Sequence, residues 1–452
     1  MKEITSNRLR FLKPVEQYGA LSFFGHNIVA SEGEEWKRYR KVTAPAFSEP
    51  NNKLVWDETI ALFVIGAAGF GRRISWQDDL VVPPGHKMTF KDALHVASTD
   101  VIIKLICSDW VLKYAPFKRL NKCKAAYDEL EQYMLEMIAS RRTEEKKEER
   151  YDLFSSMLDA SADDLDGGAK MTDGELLGNI FIFMLAGHET TAHTLCYTFA
   201  LLALYQDEQE TLYQHIKSVL ADGREPRYED MNKLTQSTAW VARKNCFTVP
   251  LLIDLYSVFY ETLRMFPPAG NIPKVAAEDT TLVTHNSAGE PVIVPVPQGT
   301  YLTLHLVGMH YHPLYWNDPA MFKPARFLAP DFPRDAFLPF SGGARACLGR
   351  RFFETEGIAI LTMLISKFKI EVKDESEFAG ESFEEKKARI FQSREGLTMT
   401  FVICPYYMNM LSLNTGPSGL CASLWSSKDV NSATQVLLNV VAIQAGVWVY
   451  IK

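Results

Sequence analysis

No two cysteines of the chain stand in a C-x-x-C arrangement, and their number, seven, is odd: Cys107, Cys123, Cys196, Cys246, Cys347, Cys404 and Cys421. That argues against a disulfide framework or a zinc site and suits a reducing compartment. Positive charge is in short supply. Across 452 residues the formal net charge is -7, which gives no reason to expect nucleic acid as a partner. Long apolar runs are missing too. The start, MKEITSNRLRFLKP, offers neither a signal peptide nor an anchor, and residues 436–451 fall short of the roughly 20 a bilayer requires and are interrupted by Asn439 and Gln444. No internal repeat appears, which sets solenoids and propellers aside. What remains is a chain 47% hydrophobic and 23% charged, the composition of a folded protein with a substantial core.

Helical texture dominates. Residues 35–42 predict a short basic helix entered from the acidic turn SEGEE, whose charges suit a helix N-terminus. Residues 90–107 and 118–147 predict long amphipathic helices, the second closing in the solvated charged run RRTEEKKEER. Thr172, with Glu175 three residues on, predicts a capping box. The helix it opens runs to about Tyr205 and is apolar nearly all round, so it belongs in the middle of a large domain. Strands are few and late, with residues 291–306, PVIVPVPQGTYLTLHL, reading as a hairpin. The fold class is mainly α with small β-sheets, an α+β pattern.

Four constellations carry chemistry. In FSGGARACLG, residues 340–349, two glycines allow a tight loop that can approach a flat ligand, and Cys347 follows just before a helical run. A helix N-terminus and Arg345 both favour a thiolate there; a buried structural thiol is the alternative. AGHETT, residues 186–191, sets an acid and two threonines in the apolar helix, where they need partners or water. The bland reading has the Thr hydroxyls bonding back to carbonyls four residues earlier. Glu261 and Arg264, at i and i+3, share a helix face and can pair. Trp36 and Arg40 share the short basic helix. Lys37, Arg38 and Lys41, with Arg350 and Arg351, could form one basic patch for an acidic partner or be simple solvated helix ends.

Taken together, F-x-x-G-x-R-x-C-x-G, AGHETT, E-x-x-R and W-x-x-x-R resemble the motifs of the cytochrome P450 family, with the texture of fungal microsomal members, over residues 19–401. The resemblance implies haem b with Cys347 as the axial thiolate to iron. Gly343 and Gly349 would shape the loop and Phe340 would pack near the sulfur and haem, while Arg345, Trp36, Arg40 and, in NIPK, Lys274 would reach the propionates. Ala186 would leave room for O₂. Thr190 would hydrogen-bond the activated oxygen and Glu189 would relay protons from solvent. Ile182 and Leu185 would be substrate contacts, and Glu261, Arg264 and Arg326 a buried structural triad. The implied reaction inserts one oxygen of O₂ into a hydrophobic small molecule, with electrons from NADPH through a cytochrome P450 reductase. A peroxide-driven or isomerising haem–thiolate enzyme is the rival chemistry.

The family pattern also sets expectations about boundaries. It implies a catalytic domain over residues 1–402 that lacks the membrane anchor and first sheet strands, leaving 301–306 without partners and with an exposed edge. Residues 240–257 interrupt the approach to the E-x-x-R helix and read as a retained short intron, and 403–452 read as a tail without family pattern. The full-length protein is expected on the cytosolic face of the endoplasmic reticulum membrane. The alternative to an enzyme is a truncated or mis-spliced product unable to hold haem.

Overall fold

The structure is a computed structural model that describes residues 1–60, 81–143, 152–162, 171–221, 223–235, 254–286, 288–372, 376–391 and 447–451. Helices dominate it. In chain order those that matter here are α1 (Lys2–Ser6), α2 (Gly33–Thr43), α3 (Phe90–Thr99), α4 (Val101–Ile106), α5 (Asp109–Tyr114), α6 (Lys118–Thr143), α7 (Asp173–Leu204), α8 (Leu255–Met265) and α9 (Arg350–Lys367). The strands are β1 (Phe11–Leu12), β2 (Asn271–Ala276), β3 (Thr280–His285), β4 (Pro291–Val296), β5 (Tyr301–His305), β6 (Phe368–Val372) and β7 (Val447–Ile451). All the pairings are antiparallel, in sheets ordered β1-β2-β5, β3-β4 and β6-β7. No described helix is long and apolar enough to cross a membrane.

The organising element is α7. The Thr172 hydroxyl accepts from the Glu175 N–H while the Glu175 carboxylate accepts from the Thr172 N–H at 2.8 Å, closing the capping box. The helix then threads two separate cores. Leu176 to Leu185 pack with α2, α3 and α6, whereas Leu195 to Tyr205 pack with α8, α9 and β6. The stretch between, residues 186–194, belongs to neither core. The sequence is small and polar there because the helix crosses a cavity.

Several expectations are corrected. Residues 291–306 are not one hairpin: β4 pairs with β3, from Thr280↔Val296 to His285↔Pro291, and β5 pairs with β2. The turn signal at Pro297–Gly299 therefore marks a change of sheet; Gly299, at φ +81°, donates its N–H to Ala276 O at 2.8 Å. Accordingly β5 keeps a partner on one side and forms the sheet edge on the other. The helix expected over residues 90–107 is two, broken at Asp100, whose backbone leaves helical geometry and whose carboxylate takes Arg119 at 2.7 Å. The helix expected to reach Lys147 is described only to Thr143. Of the segment expected as an insertion, residues 240–253 lie outside the described residues. Asp254 to Ser257 form the capping box and first turn of α8, with the Ser257 N–H donating to Asp254 at 2.7 Å. Of the expected tail, residues 403–446 also lie outside, and β7 pairs with β6 from Phe368↔Ile451 to Val372↔Val447.

Candidate functional site

The cavity beside α7 has a volume of about 430 Å³. Ile182, Phe183, Ala186, Gly187, Thr190, Thr191 and Thr194 supply one wall, and Phe340, Cys347, Phe353 and Glu356 face it from the far side of the sequence. Thr190 donates its hydroxyl hydrogen back to Ala186 O at 2.7 Å, and Thr194 to Thr190 O at 2.8 Å. Their lone pairs are left to accept from whatever fills the cavity. Two sequence candidates lie off this wall. Leu185, only 1% exposed, is part of the core formed with α2 and α6 rather than the cavity lining, and Glu189 is likewise absent from the lining residues.

The Cys347 loop is held from several directions. Its N–H donates to Phe340 O at 2.9 Å, and Ala346 N–H to Gly343 O at 3.1 Å. Gly343 sits at φ +65°, and a Cβ there would lie 2.2 Å from Thr5 O, so α1 packs on the loop only because position 343 has no side chain. Arg40 donates to Ala346 O at 3.2 Å, tying α2 to the same loop. Gly349 is the N-cap of α9. Burial pushes the Cys347 thiol up, opposed by the N–H groups of Gly349 and Arg350 and by the Arg350 and Arg40 charges. Arg345, expected near the sulfur and reaching toward a propionate, lines the cavity.

Arg345 belongs to a basic cluster. It pairs with Glu32 at 2.8 Å, donates to Ser31 O at 2.7 Å and lies 4.1 Å from the centre of the Trp36 ring, while its Nε is buried without a partner. Arg8 covers the same indole at 4.5 Å. Lys13, Arg40, Lys274 and Arg345 all line the cavity. Burial, then the charges of Arg345 and Lys274, push the Lys13 ammonium down to about 7. Lys274 is lowered by burial and by Arg345. Glu32 is the carboxylate within this group; against the upward push of burial, Arg345 and the N–H groups of Lys13 and Gly33 hold it below its usual range. Four cations against so few acids make a site short of negative charge. A flat, largely apolar group carrying two carboxylates, with a soft metal facing Cys347, suits both the cluster and the thiol. The residues present therefore fit haem.

Beneath the cavity, Glu261 and Arg264 are fully buried and bonded at 2.7 and 2.9 Å, and Arg326 reaches Glu261 at 3.1 Å. Lys323 N–H adds 2.9 Å to Glu261, and Arg264 donates to His310 O at 2.9 Å. The expected basic patch is largely consumed by neighbours: Arg38 pairs with Glu175, Lys37 with Glu34, Arg350 with Glu354 and Arg351 with the Tyr256 hydroxyl. Sequence reasoning missed Lys13, Glu32 and Glu356. The first two stand in FLKP and SEGEE, where nothing local distinguishes them. Glu356 had a signal, an acid on the apolar helix after the Cys loop.

The sequence profile of the cytochrome P450 family matches residues 56–242 and 251–392, passing over 243–250 inside the expected insertion. Cytochrome P450 monooxygenase 124 of Postia placenta is 55% identical over 434 residues, covering 90% of this chain and 80% of the relative. The cyclooctat-9-en-7-ol 5-monooxygenase of Streptomyces melanosporofaciens is 28% identical, over 78% of this chain and 74% of its own. Among solved structures, the haem domain of cytochrome P450DA superposes with a TM-score of 0.62 at 21% identity, over 82% of this chain and 80% of that one. The profile match spans well over half the chain, and the chain belongs to the cytochrome P450 family.

Proposed function

We propose that the protein is a haem–thiolate monooxygenase in which Cys347 is the axial ligand, acting on a hydrophobic small molecule. The observation that carries this is Cys347 on a fixed loop opening into an apolar cavity beside the basic cluster. Haem, when bound, supplies the activation of O₂ and the oxygen transfer. The protein's part is to bind and orient. Lys13, Arg40, Lys274 and Arg345, with the Trp36 indole, would hold the two propionates. Phe340 packs over the loop against Phe353 at 5.8 Å. Ala186 and Gly187 keep the helix wall low, and Thr190 presents its oxygen to the cavity. Ile182 and Phe183 would meet the substrate, whose apolar character follows from such a lining.

Electrons would come from NADPH through a reductase docking near Lys41, which is exposed on α2, the helix that Arg40 ties to the Cys347 loop. Residues 1–402 would form the catalytic unit. The full-length protein would sit on the cytosolic face of the endoplasmic reticulum. A surface supports membrane contact: α5 buries Leu112 but leaves Trp110 and Tyr114 exposed, with Ile106 and Phe117 beside them and Lys113, Lys118 and Lys122 around them. Trp110→Glu with Phe117→Glu should release the protein from vesicles containing anionic lipid; undiminished co-sedimentation would count against that contact.

The decisive test of the enzyme is the carbon monoxide spectrum of the reduced protein. A red-shifted Soret band is expected for the whole chain and for residues 1–402, and Cys347→Ala should abolish it. A band that survives in Cys347→Ala removes the ligand assignment, and no haem absorbance in the wild type removes the enzyme reading.

A further inference from the structure

Among the described residues, one acid is bonded to the basic cluster around Arg345. Glu32, the N-cap of α2, takes Arg345 Nη2 at 2.8 Å, the Lys13 N–H at 3.0 Å and the Gly33 N–H at 3.1 Å. The side chains of Arg345 and Glu32 are 11% and 16% exposed, too little for solvent to screen the pair fully. Arg345 also donates to Ile28 O at 3.3 Å and Ser31 O at 2.7 Å. Both terminal nitrogens are thus engaged with residues 28–32, while Nε lies buried without an acceptor. The next acids along α2 face elsewhere: Glu34 pairs with Lys37, and Glu35 takes His26 and the Tyr39 hydroxyl.

We propose that Glu32 is an electrostatic positioning residue, which through Arg345 sets one negative charge against an otherwise cationic cluster and makes a haem held there harder to reduce. This rests on the reading of the chain as a haem–thiolate monooxygenase. Beside a site for two propionates an acid works against binding, because it repels them and occupies a guanidinium they could use. The local hydrogen bonds do not require it. Lys13 N–H, Gly33 N–H and Arg345 would be met equally by an uncharged acceptor such as a Gln oxygen. What Glu32 adds beyond those bonds is its charge, and with three donors on it the carboxylate stays ionised.

The direction of the effect follows from simple electrostatics. Reduction adds one electron to the cofactor, and that added charge is attracted by Lys13, Arg40, Lys274 and Arg345 and repelled by Glu32. Charges and hydrogen bonds around a haem set its potential in this way. By itself the cluster favours the reduced state, and Glu32 cancels part of that pull at the arginine nearest the cysteine in sequence. No bond forms or breaks and no proton moves. The result is a resting enzyme that accepts its first electron less readily.

The test is a spectroelectrochemical titration of the haem-loaded full-length protein without substrate, in wild type, Glu32→Gln, Glu32→Asp and Glu34→Gln. Each is first checked for the carbon monoxide spectrum of thiolate-bound haem. Gln keeps an acceptor and removes the charge, so the Glu32→Gln midpoint should rise, moving the ferric–ferrous equilibrium at least about threefold toward ferrous, within reach of one partly screened unit charge. Glu32→Asp keeps the charge but draws it back from Arg345 by one methylene, and its midpoint should fall between the two. Glu34→Gln removes an equal charge two residues on, from a side chain 86% exposed, and should stay at the wild-type value. A Glu32→Gln midpoint short of that rise, a Glu32→Asp midpoint above that of Glu32→Gln, or an equal rise in Glu34→Gln overturns the proposal while leaving the enzyme reading intact. So does a Glu32→Gln protein that folds but holds no haem, since Glu32 would then act through structure alone. If Glu32→Gln does not fold, Glu32→Asp decides by itself: a midpoint above wild type supports the assignment, and one no higher refutes it. Absence of the thiolate spectrum from the wild type would instead remove the reading beneath it.

Discussion

Replacing Arg264 by Met probes what the buried triad contributes. Arg264 and Glu261 are both 0% exposed, and the guanidinium supplies two of the bonds on the Glu261 carboxylate, at 2.7 and 2.9 Å. Removing it leaves the acid with Arg326 at 3.1 Å and the Lys323 N–H at 2.9 Å, and it strips His310 O of a donor. Breaking a buried pair costs about 3–5 kcal/mol because a charge is left in the interior. Arg326 remains and offsets part of this, so a loss of roughly 3 kcal/mol is expected, a large share of the ~5–15 kcal/mol that holds a typical domain. Denaturant titration followed by tryptophan fluorescence measures it. Glu261→Gln combined with Arg264→Met should be less damaging than the two single losses added, with a coupling of about 1.5 kcal/mol or more. An Arg264→Met protein within about 0.5 kcal/mol of wild type would refute the reasoning, since that is the scatter of an ordinary surface change.

Two further outcomes follow from the same geometry. Lys13 is held down to about 7, well under its ordinary 10.5, by burial, Arg345 and Lys274. Between those two pH values the unfolded chain carries a proton that the folded one lacks, so stability of the haem-free protein should rise with pH across that window. Lys13→Met should flatten this dependence and stabilise the haem-free protein near pH 7 by at most ~4 kcal/mol, less whatever cavity water screens; a slope that persists in the variant excludes Lys13 as its source. Gly178 lies inside α7, where Ala would ordinarily gain about 1 kcal/mol. A Cβ there would meet Gly25 O at 2.5 Å and His26 O at 2.6 Å, both backbone atoms. Gly178→Ala should therefore lose roughly 1–3 kcal/mol on thermal unfolding, and a neutral or stabilised variant would show that the 25–26 segment yields freely.

The parts of the fold legible in the sequence were those whose physics is local. The Thr172–Glu175 cap, the all-round apolar helix after it and the Glu261–Arg264 pair are each written within a few residues. The Cys347 loop is legible for the same reason, because its glycines and its helix start adjoin the cysteine. What was hidden depends on partners far along the chain. The run 291–306 carries a turn signal, but whether β4 and β5 pair with each other or with β3 and β2 is decided by packing, not by the turn. Lys13 has no local mark, and its place in the cluster comes from β1 pairing with β2, which brings residue 12 against Val275, next to Lys274. Glu189 was chosen from its motif, yet helix periodicity turns it off the wall that Ala186, Thr190 and Thr194 present.

The stitching of residues 1–13 has a consequence in time. Thr5 seats against Gly343, Phe11 pairs with Ala276, and Lys13 joins Lys274 and Arg345. The ribosome makes these residues hundreds of positions before the partners they need, so at about 5–20 residues per second Lys13 waits roughly 20 to 70 s for Arg345 to be joined to the chain. Until then the cation cluster and the cysteine loop are separate pieces, and neither half can grip a ligand. Cofactor capture is thereby placed at the end of synthesis, and a nascent chain halted before residue 340 should hold none.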